Sequence, residues 1–169
     1  NSKQNIKEDF KIKYQRADMF RITSICLIIL LLGLMSASIT HAESYKFVAK
    51  WGSYGNGAGQ FHNPRAIVTT SSGNVYVADT DNYRVQEFNN NGKFINQWSS
   101  TNDVSLRYVI GVAVDSSSDV YVADTDNRIV KFDKNGNFIA KFGSSGSGNG
   151  QFSNIHDICL DSSDNIYVA

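Results

Sequence analysis

Two glycine-rich segments are the first places in this sequence where backbone amides could bind a ligand. Residues 52–61 and 143–152 each hold four glycines and end in Gly-Gln-Phe. Loops of this kind cradle phosphates when they open a helix and continue into Lys-Ser or Lys-Thr. Neither segment continues in that way. Their recurrence favours connections between structural units, in which glycine permits tight passage of the backbone.

Aspartate and asparagine recur in the segments 79–82 and 124–127, which both have the sequence Asp-Thr-Asp-Asn. Runs of oxygen ligands suggest Ca²⁺, but the glycine and the distant glutamate of an EF-hand loop are missing. Side chains that hydrogen-bond within their own turn explain the pattern more simply. Because Arg84 and Arg128 follow these runs, we expect a charge-assisted Asp–Arg contact in each turn.

Histidine, serine and cysteine do not form a recognisable catalytic set. No Gly-x-Ser-x-Gly motif is present. Catalytic zinc normally takes three protein ligands, which leaves His156 as a weak metal candidate. We therefore expect no cofactor, with Ca²⁺ and Zn²⁺ as the ions to consider. Cys159 lies in an apolar, alternating run, which predicts a buried structural thiol.

An internal repeat positions these groups. The sequence of residues 75–82 recurs at residues 120–127, and it begins again at residues 166–169. A period near 45 residues that contains several short strands is typical of a β-propeller blade. Turn residues and period-two alternation divide the first repeat into four predicted strands, which are Arg65–Thr70, Val75–Asp79, Arg84–Phe88 and Lys93–Trp98.

We therefore predict an all-β protein, a β-propeller of four-stranded blades of which about two and a half are present. The units run from about 45–98, 99–142 and 143–169. Two complete units do not close a ring, since propellers have four to eight blades. We expect the chain to be a fragment of a larger propeller.

The repeats resemble the NHL-repeat family. The resemblance rests on segments 66–86, 93–98, 111–130 and 138–143, which follow each other in the order of that family. It implies a propeller, commonly of six blades. It also implies a turn network in each blade, formed by Asp79, Asn82 and Arg84 and by Asp124, Asn127 and Arg128.

The second unit departs from the first in its turn and in its connecting loop. It lacks a counterpart of Tyr83, and its loop Ser99–Tyr108 contains no glycine. Propellers present rim loops and a channel mouth to their ligands, and exposed aromatic residues and arginines commonly anchor interfaces. The candidates for ligand contact near loop ends or strand starts are Arg65, Tyr83, Arg107, Tyr108 and His156.

The N-terminal part of the chain predicts export. Residues 22–42 contain no Lys, Arg, Asp or Glu, and their apolar core has the length of a signal-peptide h-region. We therefore expect a basic leader at 1–18, from upstream read-through, and a signal peptide or membrane anchor at 19–42. Cleavage would release a secreted protein. An uncleaved anchor, the other interpretation, would hold the propeller outside the membrane.

The charge distribution opposes nucleic-acid binding. Residues 1–21 carry six basic and three acidic side chains, which leaves ten basic and thirteen acidic ones for the rest. We expect a non-catalytic scaffold for a protein or glycan ligand, with membrane contact only through residues 22–42 if they remain uncleaved. The alternative is a metal-dependent lyase or hydrolase at the channel mouth, because one class that resembles NHL propellers is a zinc-dependent amidating lyase with a histidine site in the channel.

Overall fold

The computed structural model of this chain describes residues 12–16 and 45–169. The predicted signal peptide or anchor helix at 19–42 lies outside the described residues. No helix within them is long and apolar enough to cross a membrane. The described chain belongs to two compact units. In the smaller unit, β1 (Ile12–Arg16) pairs antiparallel with β2 (Tyr45–Lys50).

The larger unit, from Trp51 to Ala169, contains two complete four-stranded antiparallel sheets and the first two strands of a third. A short parallel pair precedes them, β3 (Ser53–Tyr54) with β4 (Gln60–Phe61). The first blade consists of β5 (Pro64–Thr69), β6 (Val75–Asp79), β7 (Arg84–Phe88) and β8 (Phe94–Trp98). The second consists of β9 (Val109–Val114), β10 (Val120–Asp124), β11 (Arg128–Phe132) and β12 (Phe138–Phe142). The third begins with β13 (Ile158–Leu160) and β14 (Ile166–Val168). The predicted all-β class with four-stranded blades is confirmed.

Local turn chemistry explains why the predicted strands match the observed ones within one residue. Four turns between neighbouring strands share one hydrogen-bond pattern, in which an Asx Oδ1 accepts the backbone N–H groups two and four residues later at 2.8–3.0 Å. The Asn165 side chain and the backbone donors lower the pKa of Asp161 to about 2. The residues that accept in these turns are Asn89, Asp115, Asp133 and Asp161.

Both faces of the second strand in each complete blade are buried, as stacking requires. Every residue of β6 and β10 is buried. Tyr76 and Ala78 of the first blade pack with Val122 of the second. Tyr121 of the second blade packs with Ile158 of the third. Because alternate side chains of a strand point to opposite faces, each blade fills two interfaces at once.

The first strand of each blade (β5, β9 and β13) is called its innermost strand. The innermost strands β9 and β13 approach each other closely at Gly111. A Cβ at this position would lie 3.1 Å from Cγ2 of Ile158 and 3.2 Å from its backbone nitrogen. We expect Gly111→Val to lower the free energy of unfolding of the full-length protein by about 1–3 kcal/mol, because a backbone atom blocks the added side chain. Chemical denaturation followed by circular dichroism measures this difference.

The control for this substitution is Ala66→Gly, at the equivalent position of the first blade. Ala66 pairs with Ala78 as Gly111 pairs with Ala123. Ala66→Gly should cost less than about 1 kcal/mol, since it removes one methyl group and loosens the backbone. A Gly111→Val protein that is as stable as the wild type would contradict the close approach.

The prediction that Cys159 is buried is wrong for the described chain, where this thiol is exposed. Its equivalents by strand register are Val68 and Ala113, because each of the three pairs with the tyrosine of the adjacent strand. Val68 and Ala113 pack against the following blade. The exposure of Cys159 therefore reflects its face of β13, which a following blade covers in the two earlier units.

Candidate ligand-binding face

The turn between β6 and β7 is held by the carboxylate of Asp79, which is fully buried. Its Oδ2 accepts hydrogen bonds from Nε of Arg84 at 2.8 Å, from Nδ2 of Asn82 at 2.9 Å and from Nε2 of Gln86 at 3.0 Å. Its Oδ1 accepts the backbone N–H of His62 at 2.7 Å. The carboxylate therefore ties the turn to the chain that enters β5. With four donors around it, the carboxylate is a structural acceptor in this turn.

The second blade repeats this arrangement with a shorter turn. Nη2 of Arg128 lies 2.9 Å from Oδ2 of Asp124. Because no residue corresponds to Tyr83, Asn127 takes the left-handed position, with φ of 57° against 54° for Tyr83. Its side chain is directed to the next unit, where Oδ1 accepts the backbone N–H of Ile155 at 3.2 Å. Asn127 thus links two units instead of joining the Asp–Arg pair of its own turn.

The glycine-rich segments are closed by their own glutamines. Oε1 of Gln60 accepts the backbone N–H of Gly57 at 2.9 Å, and Oε1 of Gln151 accepts that of Gly148 at 3.0 Å. A Cβ on Gly55 would meet the same Gln60 oxygen, and the φ of 149° at Gly55 lies in the region that favours glycine. The backbone amides of Gly57 and Gly148 are therefore occupied within the chain.

Three of the predicted contact residues lie together between the first and second blades. Tyr83, Arg107 and Tyr108 form what we call the rim cluster. The rings of Tyr83 and Tyr108 pack edge to face with their centroids 5.1 Å apart. They are 40% and 47% exposed. The neighbouring hydroxyl of Tyr108 raises the pKa of Tyr83, mainly by hydrogen bonding, while the charge of Arg107 opposes this shift.

Polar and aromatic residues beside the rim cluster were missed by the sequence analysis. The rings of Tyr54 and His62 meet edge to face at 5.0 Å, and Nε2 of His62 lies 3.5 Å from Oδ2 of Asp81. The charge of Asp81 in turn contributes to the raised pKa of Tyr83. Repeat alignment could have identified His62, because its backbone N–H binds the turn aspartate of its blade as that of Arg107 does.

The two remaining candidates, Arg65 and His156, line a groove where the innermost strands begin. The groove has a volume of about 540 Å³. Ile110, which holds the equivalent repeat position in the second blade, also lines this groove. It continues along the innermost strands β5, β9 and β13, and we call it the channel groove. The five candidates therefore form two groups, the rim cluster and the channel groove.

The described residues do not fit the zinc site that the resemblance implied. Among residues 12–16 and 45–169, no three His, Cys, Asp or Glu side chains are grouped as metal ligands. Catalytic zinc usually takes three ligands from the protein. His156 consequently has no set of co-ligands in this part of the chain, and we derive no metal-dependent step from it.

The successive four-stranded sheets and the groove along their first strands define the class of the protein, a β-propeller. Residues 100–169 match the family model described as a 6-bladed beta-propeller, and residues 61–88 match the NHL repeat. The chain therefore carries an NHL repeat within a β-propeller and is similar to the NHL-repeat propellers. As a family, NHL-repeat propellers are protein-interaction scaffolds.

Relatives and solved structures agree with this assignment. The chain is 31% identical over 101 residues to the protein brain tumor of Drosophila melanogaster, a match that covers 57% of this chain and 10% of that protein. It is 40% identical over 45 residues to the B-box type zinc finger protein ncl-1 of Caenorhabditis elegans, covering 27% of this chain and 5% of that protein. The chain therefore spans a tenth or less of the length of these curated relatives. A protein of unknown function from Bacteroides caccae shares the fold, with a TM-score of 0.51, 13% identity and coverage of 74% of this chain and 45% of its own.

Proposed function

We propose that this propeller is an extracytoplasmic, non-catalytic scaffold that binds a protein or glycan ligand through the rim cluster. The observation that carries the proposal is the exposed Tyr83–Tyr108 pair, whose rings are 5.1 Å apart, with Arg107 beside it. Tyrosine and arginine are enriched among the residues that dominate binding energy. The extracytoplasmic part of the proposal rests on the export pattern of residues 19–42.

The backbone of Tyr83 gives a further reason to connect its side chain with binding. Its φ of 54° lies in the left-handed region, which is unfavourable for a bulky residue and far more acceptable for asparagine. The second blade uses Asn127 at this position. The aromatic ring at this position costs backbone energy and remains 40% exposed. Such local strain is typical of functional positions.

The surroundings of the pair offer both charge signs and several hydrogen-bonding groups. Arg107 is exposed, and Asp81 and His62 lie in contact with each other nearby. An aromatic centre with a polar border is the usual arrangement of a protein interface. The flat faces of the tyrosine rings would also suit the apolar face of a sugar, so the glycan remains a second ligand class for the same residues.

We expect the double substitution Tyr83→Asn and Tyr108→Ala to weaken ligand binding by about 30-fold or more, because truncating even one hot-spot ring costs about 2 kcal/mol or more. The full-length protein is used to capture its ligand from the extracytoplasmic fraction and is screened in parallel against immobilised glycans. The affinity of the ligand so identified is then measured for wild type and variant.

Two controls separate binding from folding. Tyr83→Asn alone should leave the free energy of unfolding within about 1 kcal/mol of the wild type, because relief of the backbone offsets the lost ring contact. Ile139→Thr changes another exposed apolar residue, on the outer strand β12, and should not alter affinity. Wild-type affinity in the folded double variant would rule out the rim cluster as the binding surface.

A further inference from the structure

We propose that the channel groove binds an oxyanion, the carboxylate or phosphate group of a ligand, through Arg65 and His156. This site goes beyond the rim cluster and does not depend on it. The proposal follows from three observations: two polar side chains without partners among the described residues, a groove mouth that no carboxylate lines, and a comparison of equivalent positions in the three units.

The first observation is the state of the two side chains. The guanidinium of Arg65 and the imidazole of His156 make no hydrogen bond or ion pair with any described residue. Arg84 and Arg128, in contrast, are each paired with a buried aspartate. A guanidinium has five N–H donors in a planar fork that matches carboxylate and phosphate oxygens. At Arg65 these donors face a groove and are available to a ligand.

The second observation is the chemistry of the groove wall. At its mouth the groove is lined by no Asp or Glu among the described residues. Ile110 and Ile155 are 7% and 5% exposed and form an apolar floor. Polar side chains that can donate hydrogen bonds complete the lining, and these are Arg65, Thr125, Asn127, Asn154 and His156. An apolar floor with a few convergent polar groups is typical of small-ligand sites, which range from about 300 to 1,000 Å³.

One carboxylate lies farther along the same groove and has to be considered. Asp157 lines the part that runs along the innermost strands. Its Oδ1 accepts the backbone N–H of Ile158 at 2.8 Å, so one of its oxygens is used at the start of β13. Arg65 and His156 line both parts of the groove, and the mouth is the part that they line without a carboxylate, so the anion is expected there.

The third observation comes from the repeat. Arg65, Ile110 and His156 occupy the same position of successive units, one residue before the position held by Ala66 in the first blade and Gly111 in the second. The second unit shows that an apolar residue satisfies the fold at this position. The two polar residues are therefore not required for packing. Because the innermost strands of successive blades line one groove, Arg65 and His156 can contact the same ligand.

The experiment titrates the full-length protein with inorganic phosphate and, separately, with succinate, at constant ionic strength, by isothermal titration calorimetry. Arg65→Gln should weaken binding of the accepted anion by about 10- to 100-fold, the effect of losing a charge-assisted hydrogen-bond donor. His156→Gln should weaken it by a smaller factor. Arg65→Lys should recover part of the loss, because it restores the charge without the planar fork.

Lys141→Gln is the control, since it removes an exposed cation on the outer strand β12, away from both the channel groove and the rim cluster. It should leave the anion affinity unchanged. Binding of phosphate alone or of succinate alone supports the site and identifies its ligand class. The proposal is overturned if neither anion binds saturably, or if folded Arg65→Gln protein with a wild-type unfolding midpoint binds as well as the wild type. Because the rim variants test a different ligand, the failure of one proposal leaves the other standing.

Discussion

Asp79→Ala is expected to lower the free energy of unfolding of the full-length protein by about 3–5 kcal/mol, the range measured when one partner of a buried ion pair is removed. Asp79 is completely buried, and the side chain of its partner Arg84 is 9% exposed. The substitution leaves the guanidinium with neutral acceptors only, which are the backbone oxygens of Gly57 and Gln60 and Oε1 of Gln97. It also removes the acceptor of the His62 backbone N–H.

The corresponding substitution in the second blade, Asp124→Ala, tests whether burial of the arginine partner sets the loss of stability. Asp124 is buried to the same extent, but its partner Arg128 is 18% exposed and also lies 3.2 Å from Asp126. Water and the Asp126 carboxylate still stabilise the Arg128 guanidinium when the Asp124 carboxylate is removed. The loss of folding free energy is therefore smaller. We expect Asp124→Ala to cost about 1–3 kcal/mol.

Urea denaturation followed by far-ultraviolet circular dichroism measures both variants. Adding Arg84→Met to Asp79→Ala should restore part of the lost stability, because the double variant no longer buries an unpaired charge. Equal losses for Asp79→Ala and Asp124→Ala, or a further loss in the double variant, would show that burial of the arginine is not the cause.

Trp98→Ala is expected to cost about 3–5 kcal/mol, as large core truncations do. Trp98 is 1% exposed and lies in the core between the first and second blades. Its ring packs 5.5 Å from that of Tyr76. Its Nε1–H donates to the backbone oxygen of Asp133 at 2.8 Å, which links the first blade to a turn of the second. The substitution therefore removes both the packing and the hydrogen bond between the blades.

Trp98→Phe separates these two contributions. Phe142 occupies the equivalent position of the second blade, at the end of β12, so a phenylalanine ring suits the strand. The variant keeps most of the apolar volume and loses the hydrogen bond, and it should cost about 1–2 kcal/mol. Circular dichroism is preferred to fluorescence, because Trp51 is the other tryptophan of the chain. A loss as large as that of Trp98→Ala would mean that the hydrogen bond dominates.

Much of the fold could be predicted because its determinants are local. The turn that follows Asn89 is closed by donors two and four residues away, and the pairing of Asp79 with Arg84 spans five residues. Strand boundaries and the Asp–Arg contacts therefore follow from short segments of sequence. The altered role of Asn127 was harder to predict, because one missing residue moved it to the left-handed position and turned its side chain to the next unit.

The sequence by itself determined the repeat, the four strands of a blade and the residue types available for binding. Only the tertiary structure decided which of these residues meet. Tyr83 joins Tyr108 across a blade junction, and Arg65 shares a groove with His156 from two units later. It also decided that Cys159 is exposed. The physical reason is that these relationships depend on how blades stack around the groove, which alternation and turn chemistry within one blade do not specify.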